Sequence, residues 1–164
     1  MIVTYIRLLR ERLMAQEQSP HKLALTCALG VFIGISPWVG LHTVMTFAFA
    51  WVFSLNLAAL FAVSMLIHNP WTMVPVYSID HFFGTWLFQF LPIDYLQLDP
   101  VWVGSCNLFL KNHTGISGLS LTAFLVGGNV LAIGMAIIVY PIARRIFTNY
   151  FANKIVDYTT INTV

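Results

Sequence analysis

Residues able to move a proton fall beside two proline-containing interruptions of an apolar chain. His42 follows ISPWVG (Ile35 to Gly40), and His68 opens HNPWTMVP at residues 68–75. Tyr77 lies one helical turn before Asp80 and His81. An ionisable residue inside a membrane span is a functional candidate by default, and a proton relay is its usual form, so Asp80 and His81 are the candidate relay. The alternative is that this pair sits near an interface and is satisfied by its surroundings. The histidines have no fixed ligand spacing and no Cys or Glu partner, so no metal site is expected. No pair of catalytic groups is visible, and nothing resembles a nucleophile elbow, a zinc-protease helix or a phosphate-cradling glycine loop. The expectation is therefore no catalytic residue and no cofactor.

The interruptions share a pattern, Ser36-Pro37-Trp38 and Asn69-Pro70-Trp71. A capping side chain satisfies a free N–H of a helix's first turn, and proline at the next position has no N–H to lose. Both tripeptides thus predict the start of a helix. Two such N-termini at membrane depth would present free N–H groups and about half a positive charge each, which favours an anion. The alternative is that both prolines are kinks whose polar neighbours satisfy the backbone locally. Pro75 removes one further N–H from the helix after Pro70.

The surrounding chain decides that a membrane is the relevant solvent. Hydrophobic residues make up 59% and charged residues 9% of the 164 positions, against roughly 45–50% and about 25% in a soluble domain. No Asp, Glu, Lys or Arg occurs between Lys22 and Asp80, or between Lys111 and Arg144. A soluble domain could not cover its surface that way. The net charge of +2, with no basic tract, excludes nucleic acid as an expected partner. Cys27 and Cys106 give neither a disulfide framework nor a zinc signature.

Reading along the chain, Ile2, Tyr5, Ile6, Leu9 and Leu13 form the apolar stripe of an amphipathic helix over residues 1–19, suited to the headgroup layer. Ser19-Pro20 predicts the start of the next helix. Residues 20–90 form a membrane core with breaks at 35–40 and 68–75. Leu23 to Ile35 is too short for a full span, so a re-entrant half-helix is expected. Leu41 to Ile67 divides near Ser54 and Asn56, and a further helix is expected over about Val76 to Phe90. Residues 91–116 read as a greasy interfacial loop. Residues 117–143 carry one clear transmembrane helix, Leu119–Tyr140, closed by Pro141 and Arg144-Arg145, and residues 144–164 form a tail. Gly30-Val-Phe-Ile-Gly34, and Gly128 with Ala132 and Ala136, are small-residue faces that let helices approach closely, within the chain or between subunits.

Positive residues set the orientation. Arg7, Arg10, Arg12 and Lys22 precede the core and Arg144, Arg145 and Lys154 follow it, while Lys111 alone lies in the middle loop. Both termini are therefore expected on the cytoplasmic side of a multi-pass protein. The expected fold class is all-α: a polytopic membrane helical protein with broken, re-entrant half-helices at two proline-containing breaks and an N-terminal amphipathic helix.

ALGVFIGISPWVGLHT followed by LNLAALFAVSMLIHNPWTMVPVY resembles the bacterial DUF2062 family. The matching positions are Gly30, Gly34, Pro37, Gly40, Thr43, Asn56, Asn69, Pro70, Thr72, Pro75 and Tyr77, with Gly84 after them. The chain departs at His42, where the family pattern has glutamine. The resemblance implies a bacterial inner-membrane protein, some relatives of which are joined to glycosyltransferase-like domains, which makes lipid-linked or envelope chemistry the setting by analogy. The candidate substrate-binding set is Ser36, Pro37, Gly40, His42, Thr43, Asn69, Pro70, Thr72 and Tyr77. The leading functional expectation is a transporter-like or lipid-handling protein for a small anion or anionic lipid head group. Membrane lipids are its expected partners, and a homo-oligomer its expected state. The competing expectation is a scaffold or assembly partner for envelope biosynthesis enzymes.

Overall fold

Each break in the apolar pattern becomes a break between helices. The structure, a computed structural model, describes residues 19–91, 94–115 and 117–161, so the amphipathic stripe of residues 2 to 14 lies outside the described residues. Helices α1 (Pro20–Ile35), α2 (His42–Val52), α3 (Leu57–Ile67) and α4 (Pro70–Phe88) lead into a short 3₁₀ turn at Tyr95–Leu98. Helices α5 (Val101–Thr114) and α6 (Leu121–Ile161) follow, and no strand occurs among the described residues.

Local chemistry explains most boundaries. Pro20 sits at the first turn of α1 after Ser19, whose side chain makes no capping bond. Asn56 caps α3 through its Oδ1, which accepts the Ala59 N–H at 3.0 Å. Ser54, with φ of +50°, turns the chain between α2 and α3. Helices α3 and α4 meet at an angle of 71°.

The helix expected from about Val76 begins at Pro70 instead, where Asn69 caps it, and three further boundaries differ from the sequence expectations. Ser36-Pro37-Trp38 ends a helix instead of starting one. The Ser36 N–H donates to the Phe32 carbonyl at 2.9 Å, completing the last turn of α1, and Pro37 has no N–H with which to continue. A turn carried by Gly40, with φ of +82°, then delivers the chain to α2 at His42. Second, half of the expected loop 91–116 is helical. Pro100 precedes α5, and Gly115, in the left-handed region with φ of 73°, donates to the Lys111 carbonyl to end it. Third, Pro141 does not close the last helix: α6 runs through it for 41 residues. Proline deletes one backbone bond and costs about 3 kcal/mol. Long helical stretches on both sides absorb that loss, and Tyr140 Oη is held 2.7 Å from His21 Nδ1 at the start of α1.

Helix α6 is the spine. Helices α1 and α4 pack along it, α3 packs on α1, and α2 packs on α3. Ile33, Ala50 and Leu60 form the buried core between α1, α2 and α3, wrapped by Leu29, Phe32, Met45 and Phe49. The small-residue faces are used within the chain. A Cβ on Gly30 would lie 2.6 Å from Val63 Cγ1, and one on Gly34 would lie 2.7 Å from Ile67 Cβ. At the α4–α6 crossing a Cβ on Gly84 would collide with the Ala123 backbone, and one on Gly127 with the backbones of Asp80 and Gly84.

Candidate functional site at the helix break

Asn69 organises the start of α4. Its Oδ1 accepts the N–H groups of Trp71 at 3.0 Å and Thr72 at 3.1 Å, and its Nδ2 donates to the Leu66 carbonyl at 3.2 Å. Thr72 Oγ1 accepts the Asn69 N–H at 3.2 Å and donates to the Ile67 carbonyl. This is a capping box, reciprocal satisfaction of two orphan donors. The Met73 N–H is already bonded to the Asn69 carbonyl at 2.9 Å, and Pro70 has no N–H. The first turn of α4 therefore keeps no free donor for an anion. Asn69→Ala is expected to lower stability by about 1–2 kcal/mol, read as the denaturation midpoint in detergent. Asn69→Asp, which keeps the accepting oxygen but loses the Nδ2 donor to Leu66, should recover only part of that loss.

The polar residues that do converge form a closed ring. His42 and His68 stack, with ring centroids 3.9 Å apart and planes inclined by 19°. His42 Nε2 lies 3.1 Å from the Ser36 carbonyl, and His68 faces the Gly34 carbonyl. His68 also lies 5.7 Å from the Tyr77 ring, which packs edge-on to Phe124 of α6 at 5.1 Å. Tyr77 and Asp80 share one face of α4, a turn apart. Asp80 closes the ring across Gly128: a Cβ there would lie 2.9 Å from the Pro37 ring and 3.0 Å from Asp80 Cγ.

Burial gives the ring its chemical interest. Ser36 and Asp80 are 0% exposed. Ser36 Oγ, His68 Nδ1, Tyr77 Oη and both carboxylate oxygens of Asp80 are buried without a hydrogen-bond partner. A buried polar group left unpaired costs about 1–3 kcal/mol, and native proteins leave few. Several orphans in one place make the ring the candidate site.

Asp80 and His81 are not brought together. His81 Nε2 accepts the Ser120 N–H at 3.0 Å, a positioning role at the start of α6. Ser120 Oγ accepts from the Ala123 N–H at 3.1 Å, and Asp99 Oδ1 from the Thr122 N–H at 2.6 Å. Burial pushes the Asp99 carboxyl up, but the Thr122 and Ser120 hydroxyls and the Thr122 and Leu121 N–H groups outweigh it and hold it below the ordinary carboxylate range. Asn107 of α5 brackets Leu119 through two bonds of 2.7 and 2.9 Å. These groups anchor α5 and the α6 terminus.

Of the sequence-predicted set, Ser36, Pro37, His42 and Tyr77 therefore meet, together with Asp80. Asn69 and Thr72 serve as caps beside the ring, with Pro70 at the first helical position. Gly40 and Thr43 lie on the exposed side of the turn into α2. His68, outside the predicted binding set, is at the centre. Asn129 was also missed: its Oδ1 accepts the Trp38 Nε1–H at 3.0 Å and pins the turn after Pro37 to α6. Its signal was available, since Gly127-Gly128-Asn129 is a small, polar interruption of the most apolar helix.

No curated protein and no solved structure matches the chain. The family described as "Uncharacterized protein conserved in bacteria (DUF2062)" matches over residues 4–155, a range holding both breaks, every member of the ring, and the α6 glycines that close it. The chain belongs to the DUF2062 family.

Proposed function

We propose that this chain is an integral membrane protein of transporter-like type, with an intramembrane site formed by Ser36, His42, His68, Tyr77 and Asp80. The single observation carrying the reading is Asp80, a wholly buried carboxyl without a partner, set against the helix best suited to cross a bilayer. The stretch Leu121–Ala152 of α6 is long and apolar enough to span, with mean hydropathy 2.1, and only 22% of its most apolar window is buried. The core helix of a soluble protein would be mostly covered, so this surface suits lipid.

Depth follows from helix geometry. Gly128 stands seven residues beyond Leu121 and twelve before Tyr140, about 10 Å and about 18 Å at 1.5 Å per residue. In a hydrocarbon layer of about 30 Å, the ring would sit near mid-depth. Helices α3 and α4 together pass as a second, broken span. Irregular backbone is tolerated at that depth only inside protein or beside water, and the turn after Pro37, where Trp38, Val39 and Leu41 are exposed, would meet that condition only by facing water. Helix α1 then reads as a re-entrant segment with both chain ends cytoplasmic. Because the small-residue faces pack within the chain, a homo-oligomer would use other surfaces.

A non-transporting scaffold for envelope enzymes is the second reading. Its support is α5, where Val103 alone is buried and Val101, Trp102, Leu108 and Phe109 are exposed. Flux into proteoliposomes separates the readings, using small cations, small anions and phosphorylated lipids as the panel. Wild type is expected to move at least one of them faster than protein-free vesicles, and a folded Asp80→Asn variant should not. Failure of wild type across the whole panel would reject the transporter reading.

A further inference from the structure

We infer that the ring binds a small monovalent cation, a proton or an alkali metal ion, at Asp80, so that the ligand has the opposite sign to the anion suggested by the proline motifs. The inference rests on the intramembrane-site reading and specifies its ligand. Three independent features agree on the sign.

The first is which helix end faces the ring. The sequence pattern predicts two N-termini, but Ser36 and Pro37 belong to the end of α1. A helix C-terminus carries unpaired carbonyls and about half a negative charge. Two of them, of Gly34 and Ser36, are met by the rings of His68 and His42, so it is the half negative charge of the helix end, not a free carbonyl, that bears on the ring. The nearby N-terminus, that of α4, is neutralised by its capping box. Its positive potential is spent on Asn69 and Thr72.

The second is the donor set. Asp80 Oδ1 and Oδ2, Tyr77 Oη and Ser36 Oγ all offer lone pairs and all lack a partner. An anion would add negative charge beside an already unpaired carboxylate, whereas a cation beside Asp80, or a proton on it, neutralises that charge and leaves the Tyr77 and Ser36 hydroxyl oxygens free to contribute lone pairs. No three His, Cys, Asp or Glu side chains among the described residues form a cage for a metal ion. A single carboxylate with neutral oxygens suits a single charge.

The third is the absence of a protein cation among the described neighbours. Gly127, and Pro37 across Gly128, lie against Asp80, Tyr77 lies a turn away on its own helix, and the remaining ring members are Ser36 at the end of α1 and His68, stacked on His42 and beside Tyr77. His81 is turned to the Ser120 N–H. No Lys or Arg occurs from residue 23 to 110, and Lys22 donates to the Ser54 carbonyl at 3.2 Å. Broken helices whose C-terminal carbonyls face a mid-membrane site are a recurring arrangement for coupling ions.

Thermal denaturation of the purified full chain in detergent tests this, in choline chloride at constant ionic strength. Lithium, sodium or potassium replaces choline in one arm, pH is lowered without alkali ions in a second, and choline phosphate or sulfate is added in a third. Either cation arm is expected to raise the midpoint, by roughly 5 °C at ~100-fold excess over the dissociation constant. An alkali response identifies a metal ion, and a response to acidification alone identifies a proton. Asp80→Asn should abolish the shift, and Asp94→Asn, in the exposed loop, should retain it. Should Asp80→Asn not fold, Tyr77→Phe takes its place, with the concentration needed for half the shift expected to rise several-fold. Stabilisation by phosphate or sulfate alone, no response in any arm, or a cation response that survives Asp80→Asn overturns the inference. Failure of transport is read separately: a cation response without flux retains the cation site and rejects the transporter reading, and flux without a cation response does the reverse.

Discussion

Gly84→Val is expected to separate α4 from α6 and to lower stability by at least about 3 kcal/mol, the upper end of the usual overpacking range. The obstacle is a backbone. A side chain at Gly84 would enter the space held by the Ala123 carbonyl, and Gly127 opposite it touches the backbones of Gly84 and Asp80. A clash with a flexible side-chain end can be relieved by a rotamer change, but two helix backbones in contact can only move apart. Separation would also withdraw Asp80 from Gly128 and open the ring. Intrinsic helix propensity acts the other way, since valine is better than glycine by a few tenths of a kcal/mol, so a loss must come from the crossing. Denaturation in detergent measures it, with Gly104→Val as control because a Cβ there meets nothing within 4 Å. A Gly84→Val midpoint indistinguishable from wild type would mean that the helices do not cross in this way.

The second large effect has the opposite sign. Truncating a buried side chain to alanine ordinarily destabilises, yet Asp80→Ala is expected to raise the stability of the unliganded protein by about 1–3 kcal/mol. The variant removes two buried oxygens that have no partner, and few packing contacts are lost with so small a side chain. The measurement belongs in choline salts at alkaline pH, because a bound alkali ion or proton would stabilise the wild type and mask the gain. A fall of more than about 1 kcal/mol would show that the carboxyl is satisfied within the fold. A gain in stability with loss of flux is the usual mark of a group retained for function.

The helix breaks were legible because each rests on residues whose backbone preferences are local. Asn56, Asn69 and Pro70 start helices by satisfying or omitting an N–H within three residues, and no distant contact is needed. The amino and carboxyl ends of α5 were equally local signals, Pro100 and Gly115, but a greasy and polar mixture in that segment concealed them. Pro141 and Pro37 show where local reading stops. Both prolines lack the same hydrogen bond, yet one is carried inside α6 and the other ends α1. Their flanks differ: α6 continues as helix on both sides, whereas Gly40 and the Trp38–Asn129 bond hold a turn after Pro37.

The sequence by itself therefore determined the all-helical architecture, the position of most breaks and the identity of the ionisable residues, through hydropathy, capping and proline chemistry acting over a few residues. Only the tertiary structure decided which of these residues meet. Adjacent side chains on a helix diverge by about 100°, so Asp80 enters the ring while His81 serves the α6 terminus. The packing of α1 and α4 against the glycines of α6 brings a helix carboxyl end, two histidines, a tyrosine and an unpaired carboxyl together. No spacing along the chain encodes that meeting.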